Sequence, residues 1–219
     1  MVEIYSINIE SQAAIEKYEY YINFVSEEKR ERLYRYQSQE DKRRSLYGEI
    51  MIRLLINERL GISNSNITFE YNKFGKPYIV GCSNFHFNIS HSGKWVICGI
   101  GCNELGIDIE KMVKYNAAIA ERFFTYKEYL NLINTCEKDR LDYFYDLWTL
   151  KESFIKCIGK GLSIPLNSFG FEILNDNVIL LPYSNLYCFE RYSGISNYRV
   201  SVCATEESID DHIQDFALY

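Results

Sequence analysis

No stretch of this sequence approaches the roughly 20 consecutive apolar residues that a membrane-crossing helix needs. Its start, Met1-Val2-Glu3-Ile4-Tyr5, lacks the basic residues and apolar run of a secretion signal, so a cytoplasmic location is expected. Cysteines in CxxC spacing are missing too. The seven present (Cys82, Cys98, Cys102, Cys136, Cys157, Cys188 and Cys203) are odd in number and scattered, which favours reduced thiols over disulfides or zinc. There is no excess of positive charge. A formal net charge of −6 argues against general affinity for nucleic acid or an acidic membrane. Short repeats and low-complexity segments are absent, and the longest polar connection, around Thr135 to Lys138, is too short for a domain linker. What is there is a 219-residue chain, 47% hydrophobic and 16% aromatic, which supports a substantial core.

Charge is unevenly spread. Lys29, Arg30, Arg32, Arg35, Lys42, Arg43, Arg44 and Arg53 crowd one early segment, against Glu31, Glu40, Asp41 and Glu49. Such a segment is either a solvated helical face or a cradle for an anion, since arginine forks match phosphate oxygens. Periodicity predicts a strand near Val2 to Ile9, then helices from about Ser11 to Phe24, Ser26 to Tyr36 and Ser38 to Leu60. Each helix begins at a serine suited to N-capping, and Gly61 is a natural stop. Strand-like runs follow at Ile67 to Tyr71, Phe85 to Ile89 and Trp95 to Ile100. The order then recurs: a strand from Leu105 to Glu110, helices after Asn116, from Thr125 to Ile133 and from Asp139 to Ile158, then strands between Phe169 and Ala204. Thr125 and Glu128 have the spacing of a capping box. Two similar α+β halves are therefore expected, 1–103 and 104–219, joined near Gly101-Cys102-Asn103-Glu104 with a ligand cleft between them.

Two short motifs carry the chemistry. In Gly106-Ile107-Asp108-Ile109-Glu110, strand alternation sends Asp108 and Glu110 to one side; in the helix after Asp139, Trp148, Glu152 and Lys156 fall four apart on one face. Three carboxylates and an ammonium converging in this way suit Mg²⁺, which keeps several waters and is completed by substrate phosphates. Taken singly, Asp108 and Glu110 are equally a polar strand face, and Glu152 with Lys156 an exposed ion pair. Phe87-Asn88-Ile89-Ser90-His91-Ser92-Gly93 ends a strand in a polar turn, and Gly75-Lys76-Pro77 is a second turn.

With these four motifs in this order, the chain resembles the surfactin-type (Sfp-type) 4′-phosphopantetheinyl transferases, from the basic segment near Lys29 to beyond Pro165. The resemblance implies a monomer of two pseudo-symmetric α+β halves, each with helices on a small, mainly antiparallel sheet, and coenzyme A with Mg²⁺ (or Mn²⁺) at their interface. It implies transfer of the phosphopantetheine arm of coenzyme A to a serine of an acyl or peptidyl carrier protein, releasing adenosine 3′,5′-bisphosphate, in the service of peptide, polyketide or fatty-acid synthesis. Asp108, Glu110 and Glu152 match the family's metal ligands, with Asp108 also beside coenzyme A. The resemblance further implies that Lys156 pairs with the pyrophosphate, that Lys151 adds further neutralisation, and that Glu152 takes the serine proton directly or through water. Lys29, Arg32 and Arg44 match contacts to the 3′-phosphate, with Arg30 and Arg43 able to exchange register with them. By the same resemblance, Ser90 and His91 would approach from the strand turn, and Lys76 and Pro77 would lie beside the nucleotide end. The segment from Val113 to Tyr126 is a candidate carrier-binding surface, with at least one of Phe123 and Phe124 assigned to the core. A coenzyme A-binding protein without transfer and a metal-dependent phosphatase are the rival functions.

Overall fold

In the structure, a computed structural model, residues 1–175, 177–205 and 208–218 are described. The first half runs β1 (Val2–Asn8), α1 (Gln12–Glu16), α2 (Tyr18–Tyr21), α3 (Glu27–Arg35), α4 (Gln39–Leu60), the hairpin β2 (Phe69–Tyr71) and β3 (Pro77–Ile79), β4 (His86–Ser92) and β5 (Trp95–Gly101). Ser11, Ser26 and Ser38 each accept an amide N–H three residues on, at 3.2 Å, so the three expected caps form. Gly61, at φ +67°, ends α4 in the left-handed conformation that glycine tolerates. One expectation fails locally: the helix from Ser11 to Phe24 is broken. At Lys17 the backbone leaves the helix (φ −90°, ψ 3°), and its ammonium donates to the carbonyl of Leu218 from the far end of the chain.

The second half repeats the order: β6 (Leu105–Lys111), α5 (Ala117–Phe123), α6 (Tyr126–Asn134), α7 (Glu137–Ile158), the hairpin β7 (Gly170–Leu174) and β8 (Asn177–Leu181), β9 (Tyr187–Tyr192) and β10 (Tyr198–Thr205). The capping box between Thr125 and Glu128 is present at the start of α6. Helices α4 and α7 are both 22 residues long, and the sheets have matching orders, β1-β5-β4 and β6-β10-β9. The architecture is thus α+β in two pseudo-symmetric halves. The last strand, β11 (Ile209–Asp215), departs from the expected division: it returns to the first sheet and pairs parallel to β1, with Ile4 opposite Ile213.

Each half has its own core, and a third apolar layer joins them. Val2, Ile4 and Ile97 of the first sheet pack against Leu105, Ile107, Ile109, Val200 and Val202 of the second, all almost fully buried. Because strand side chains alternate, burying Ile107 and Ile109 in this layer turns Gly106, Asp108 and Glu110 to the other side, towards α7.

Candidate active site at the seam of the two halves

Gly106 sets how closely α7 approaches β6. A Cβ at this position would lie 2.1 Å from the carbonyl oxygen of Ser153 and 2.3 Å from the amide nitrogen of Cys157, so only glycine lets the two backbones meet. That contact brings Lys156 onto the strand. Its ammonium donates to Asp108 Oδ1 at 2.5 Å, Ser90 Oγ at 3.0 Å and the Ile107 carbonyl at 3.2 Å.

Asp108 is 3% exposed. Its Oδ1 accepts from Ser90 Oγ (2.9 Å) as well as from Lys156, whereas Oδ2 is buried with no hydrogen-bond partner. A buried carboxylate oxygen without a donor is costly unless a cation completes it. Glu110 accepts from Ser92 Oγ at 3.0 Å. Burial, then repulsion from Asp108, raises its pKa, opposed by Ser92, Lys156 and the Trp148 indole. Burial first, and then Asp108 and Glu110, push Glu152 up to about 7 against the pull of Lys156. Three mutually repelling carboxylates around one ammonium fit a divalent cation. They do not form a closed cage: among the described residues, the group found with its donor atoms all within 4.8 Å of one another is the partly exposed Asp210, Asp211 and His212. An open, incomplete oxygen set is what Mg²⁺ takes when substrate phosphates supply the remaining ligands.

The other face of β4 carries the opposite charge. There His91 joins Lys29, Arg32, Arg44, Tyr71 and Pro77 around a cavity of about 280 Å³. Lys29 is paired with Glu49 at 3.3 Å, and burial lowers its pKa. Arg44 donates to the Gly93 carbonyl at 2.5 Å and to Asp41, which fixes its guanidinium at the rim. Desolvation in the pocket lowers the pKa of His91, and the cations of Arg44 and Lys156 lower it further. Ser90 and His91, neighbours in sequence, face opposite sides of one strand: Ser90 serves the carboxylates and His91 the basic pocket.

Residues 12–101 match the family described as "4'-phosphopantetheinyl transferase, N-terminal" and residues 104–203 the "4'-phosphopantetheinyl transferase superfamily". The chain is 39% identical to the 4'-phosphopantetheinyl transferase Sfp of Bacillus subtilis (strain 168), over 97% of this chain and 96% of that one. It is 40% identical to the transferase ffp of Bacillus subtilis over the same shares, and 35% identical to the transferase gsp of Aneurinibacillus migulanus over 95% and 88%. This chain belongs to the 4′-phosphopantetheinyl transferase family. A solved holo-[acyl-carrier-protein] synthase of Thermotoga maritima covers 48% of this chain and 64% of its own, at 19% identity and a TM-score of 0.40.

Two expected ligand contacts of the transferase are occupied otherwise. Lys151 points away from the cleft: one residue along a helix is a turn of about 100°, which carries it from the face of Glu152 into the core of the second half. It is 0% exposed, paired with Glu128 at 2.9 Å, and donates to the carbonyls of Leu166 (2.9 Å) and Phe169 (2.7 Å). Its donors are spent, so it is corrected from a phosphate contact to a structural ion pair. Lys76 bridges the halves, donating to Glu104, to the Leu105 carbonyl (3.0 Å) and to the Cys157 carbonyl (3.2 Å). It lines a neighbouring cavity of about 610 Å³, which Pro77 shares. Sequence spacing assigned no role to Gly106, Ser92 or Trp148. A signal for Ser92 was present in the period-two run Asn88, Ser90, Ser92.

No helix among the described residues is long and apolar enough to cross a membrane.

Proposed function

We propose that this transferase moves the phosphopantetheine arm of coenzyme A onto a serine of an apo acyl or peptidyl carrier protein and releases adenosine 3′,5′-bisphosphate. The observation that carries this function is the two-sided strand β4. Cations lie on one side, with His91 among them, and carboxylates with an ammonium on the other. Coenzyme A matches that span, with a 3′-phosphate at one end of its nucleotide and a pyrophosphate at the other. Lys29, Arg32, Arg44 and His91 hold the 3′-phosphate through charge-assisted hydrogen bonds.

Asp108, Glu110 and Glu152 would hold Mg²⁺ or Mn²⁺, which when bound supplies charge neutralisation at the pyrophosphate. The carrier serine oxygen attacks the pantetheine-side phosphorus, a new P–O bond forms, and the bond to the adenosine-side phosphate breaks. Glu152, poised near neutrality, accepts the serine proton directly or through a water, and a bound cation would lower its basicity. Lys156 meets the negative charge that develops on the departing phosphate, from a position fixed by Asp108 and Ser90.

Carrier docking is proposed at the segment after β6. Phe124 is buried, and Phe123 packs edge-on against Trp148, while Val113, Ile119 and Tyr126 are exposed. The test of the two-sided site is a cycle of Arg32→Ala against removal of the 3′-phosphate from coenzyme A, read as kcat/KM for transfer. Each change alone is expected to lower it about tenfold, and together no more than either alone. Equal loss by Arg32→Ala on coenzyme A and 3′-dephospho-coenzyme A would remove the basic pocket from the site.

A further inference from the structure

Strands β4 and β6 lie at the edges of different sheets, and no backbone ladder pairs them. Side chains take the ladder's place. Asn88 Oδ1 accepts the amide N–H of Ile107 at 2.9 Å, Ser90 Oγ that of Ile109 at 3.3 Å, and Ser92 Oγ that of Lys111 at 3.0 Å. Three rungs two residues apart join the halves in parallel register. Each serine hydroxyl also has one proton to donate. Ser90 gives it to Asp108 Oδ1 and Ser92 gives it to Glu110 Oε2.

We infer that Ser92 is a positioning residue for Glu110: its hydroxyl grips the neighbouring backbone amide of β6 and the Oε2 oxygen of the carboxylate, and so fixes how that carboxylate faces a cation. A hydroxyl has a single donor proton, so accepting the Lys111 amide leaves that proton free to aim at the carboxylate. Glu110 has one more side-chain torsion than Asp108, and Lys156 donates to Asp108, so Ser92 together with the Trp148 indole holds the Glu110 carboxylate. The tie crosses the seam. Glu110 belongs to the second half and Ser92 to the first, so the carboxylate set is ordered only when the halves are docked.

This inference rests on the metal assignment above. Its test compares Ser92→Thr with Ser92→Val, two side chains of the same shape that differ in the hydroxyl, by titrating Mn²⁺ into the full chain and following free Mn²⁺ by electron paramagnetic resonance, without coenzyme A or carrier. Loss of a ligand's hydrogen-bond partner weakens metal binding about 10–100-fold. Ser92→Val is therefore expected to raise the Mn²⁺ dissociation constant at least about tenfold, and Ser92→Thr to restore it. The same ordering is expected for the Mg²⁺ requirement of transfer, with the KM for coenzyme A at saturating Mg²⁺ unmoved by the exchange of Thr for Val. Equal Mn²⁺ affinity in the two variants, with wild-type binding intact, overturns the positioning role alone. Failure of wild type to bind Mn²⁺ overturns the metal assignment, and the inference with it.

Discussion

Two buried charges, Asp108 and Lys151, have opposite fates. Asp108 keeps one buried oxygen without a donor, whereas every role of Lys151 is taken up by Glu128 and two carbonyls. Asp108→Ala and Glu152→Ala are expected to lower kcat for transfer by about 10²–10³-fold, the scale seen when a group stabilising transition-state charge is removed. Near-normal kcat at saturating Mg²⁺ would contradict their placement. Lys151→Met leaves Glu128 buried without its partner, and urea unfolding should register a loss of about 3–5 kcal/mol. An unchanged unfolding midpoint would contradict the structural role.

His86 and Glu104, at the junction of the halves, give a pH signature. Glu104 is held down to about 2, chiefly by His86 and then Lys76, and His86 is raised above its ordinary 6.5, chiefly by Glu104. A depressed carboxylate stabilises above its unfolded value of 4.5 and loses that contribution as pH falls towards 2; a raised histidine stabilises below 6.5 and loses it as pH climbs through its folded value. Both contributions are complete only between about 4.5 and 6.5. The Tm difference between wild type and His86→Gln should be largest near pH 5.5 and shrink as pH climbs through the raised folded value of His86. The difference will be small, because Glu104 is half exposed and solvent screens the pair; a difference that grew with pH would contradict the assignment. At this scale the sequence spoke through periodicity. Spacing by two aligned Asp108 with Glu110, and spacing by four aligned Trp148, Glu152 and Lys156. Lys151 was misplaced because adjacency along a helix is not adjacency in space.

Between elements, the decisive contact is β6 on α7 at Gly106. Gly106→Ala forces a methyl into the backbone of Ser153 and Cys157, and overpacking of this kind destabilises by about 3 kcal/mol. The displaced helix carries Lys156 away from Asp108, so kcat should fall with Tm. A stable Gly106→Ala enzyme with full kcat would show that this approach is not needed. In α5, Ile119→Asp is expected to raise the KM for carrier several-fold with that for coenzyme A unchanged; unchanged carrier KM would place docking elsewhere. Helix starts were legible because serine caps and the capping box are local devices. The break at Lys17 was not, because the partner of its ammonium lies 201 residues away.

Across the whole molecule, the repeat of helices followed by strands was readable as an order of elements, and the matching sheets β1-β5-β4 and β6-β10-β9 give it a physical form. The return of β11 to β1 escaped, since Ile209 to Asp215 is mostly polar and its place is set by the open edge of β1 rather than by its own pattern. The seam matters most for the proposed function: in the site proposed above, the first half supplies cations and the serine rungs, the second supplies carboxylates and Lys156, and neither half would hold it alone. The most direct measurement is the intact mass of an apo carrier protein after incubation with this chain, coenzyme A and Mg²⁺. A gain of one phosphopantetheine on the carrier serine, with adenosine 3′,5′-bisphosphate released, is the predicted result. An unmodified carrier beside intact coenzyme A, or phosphate lost from coenzyme A without any carrier, would contradict it.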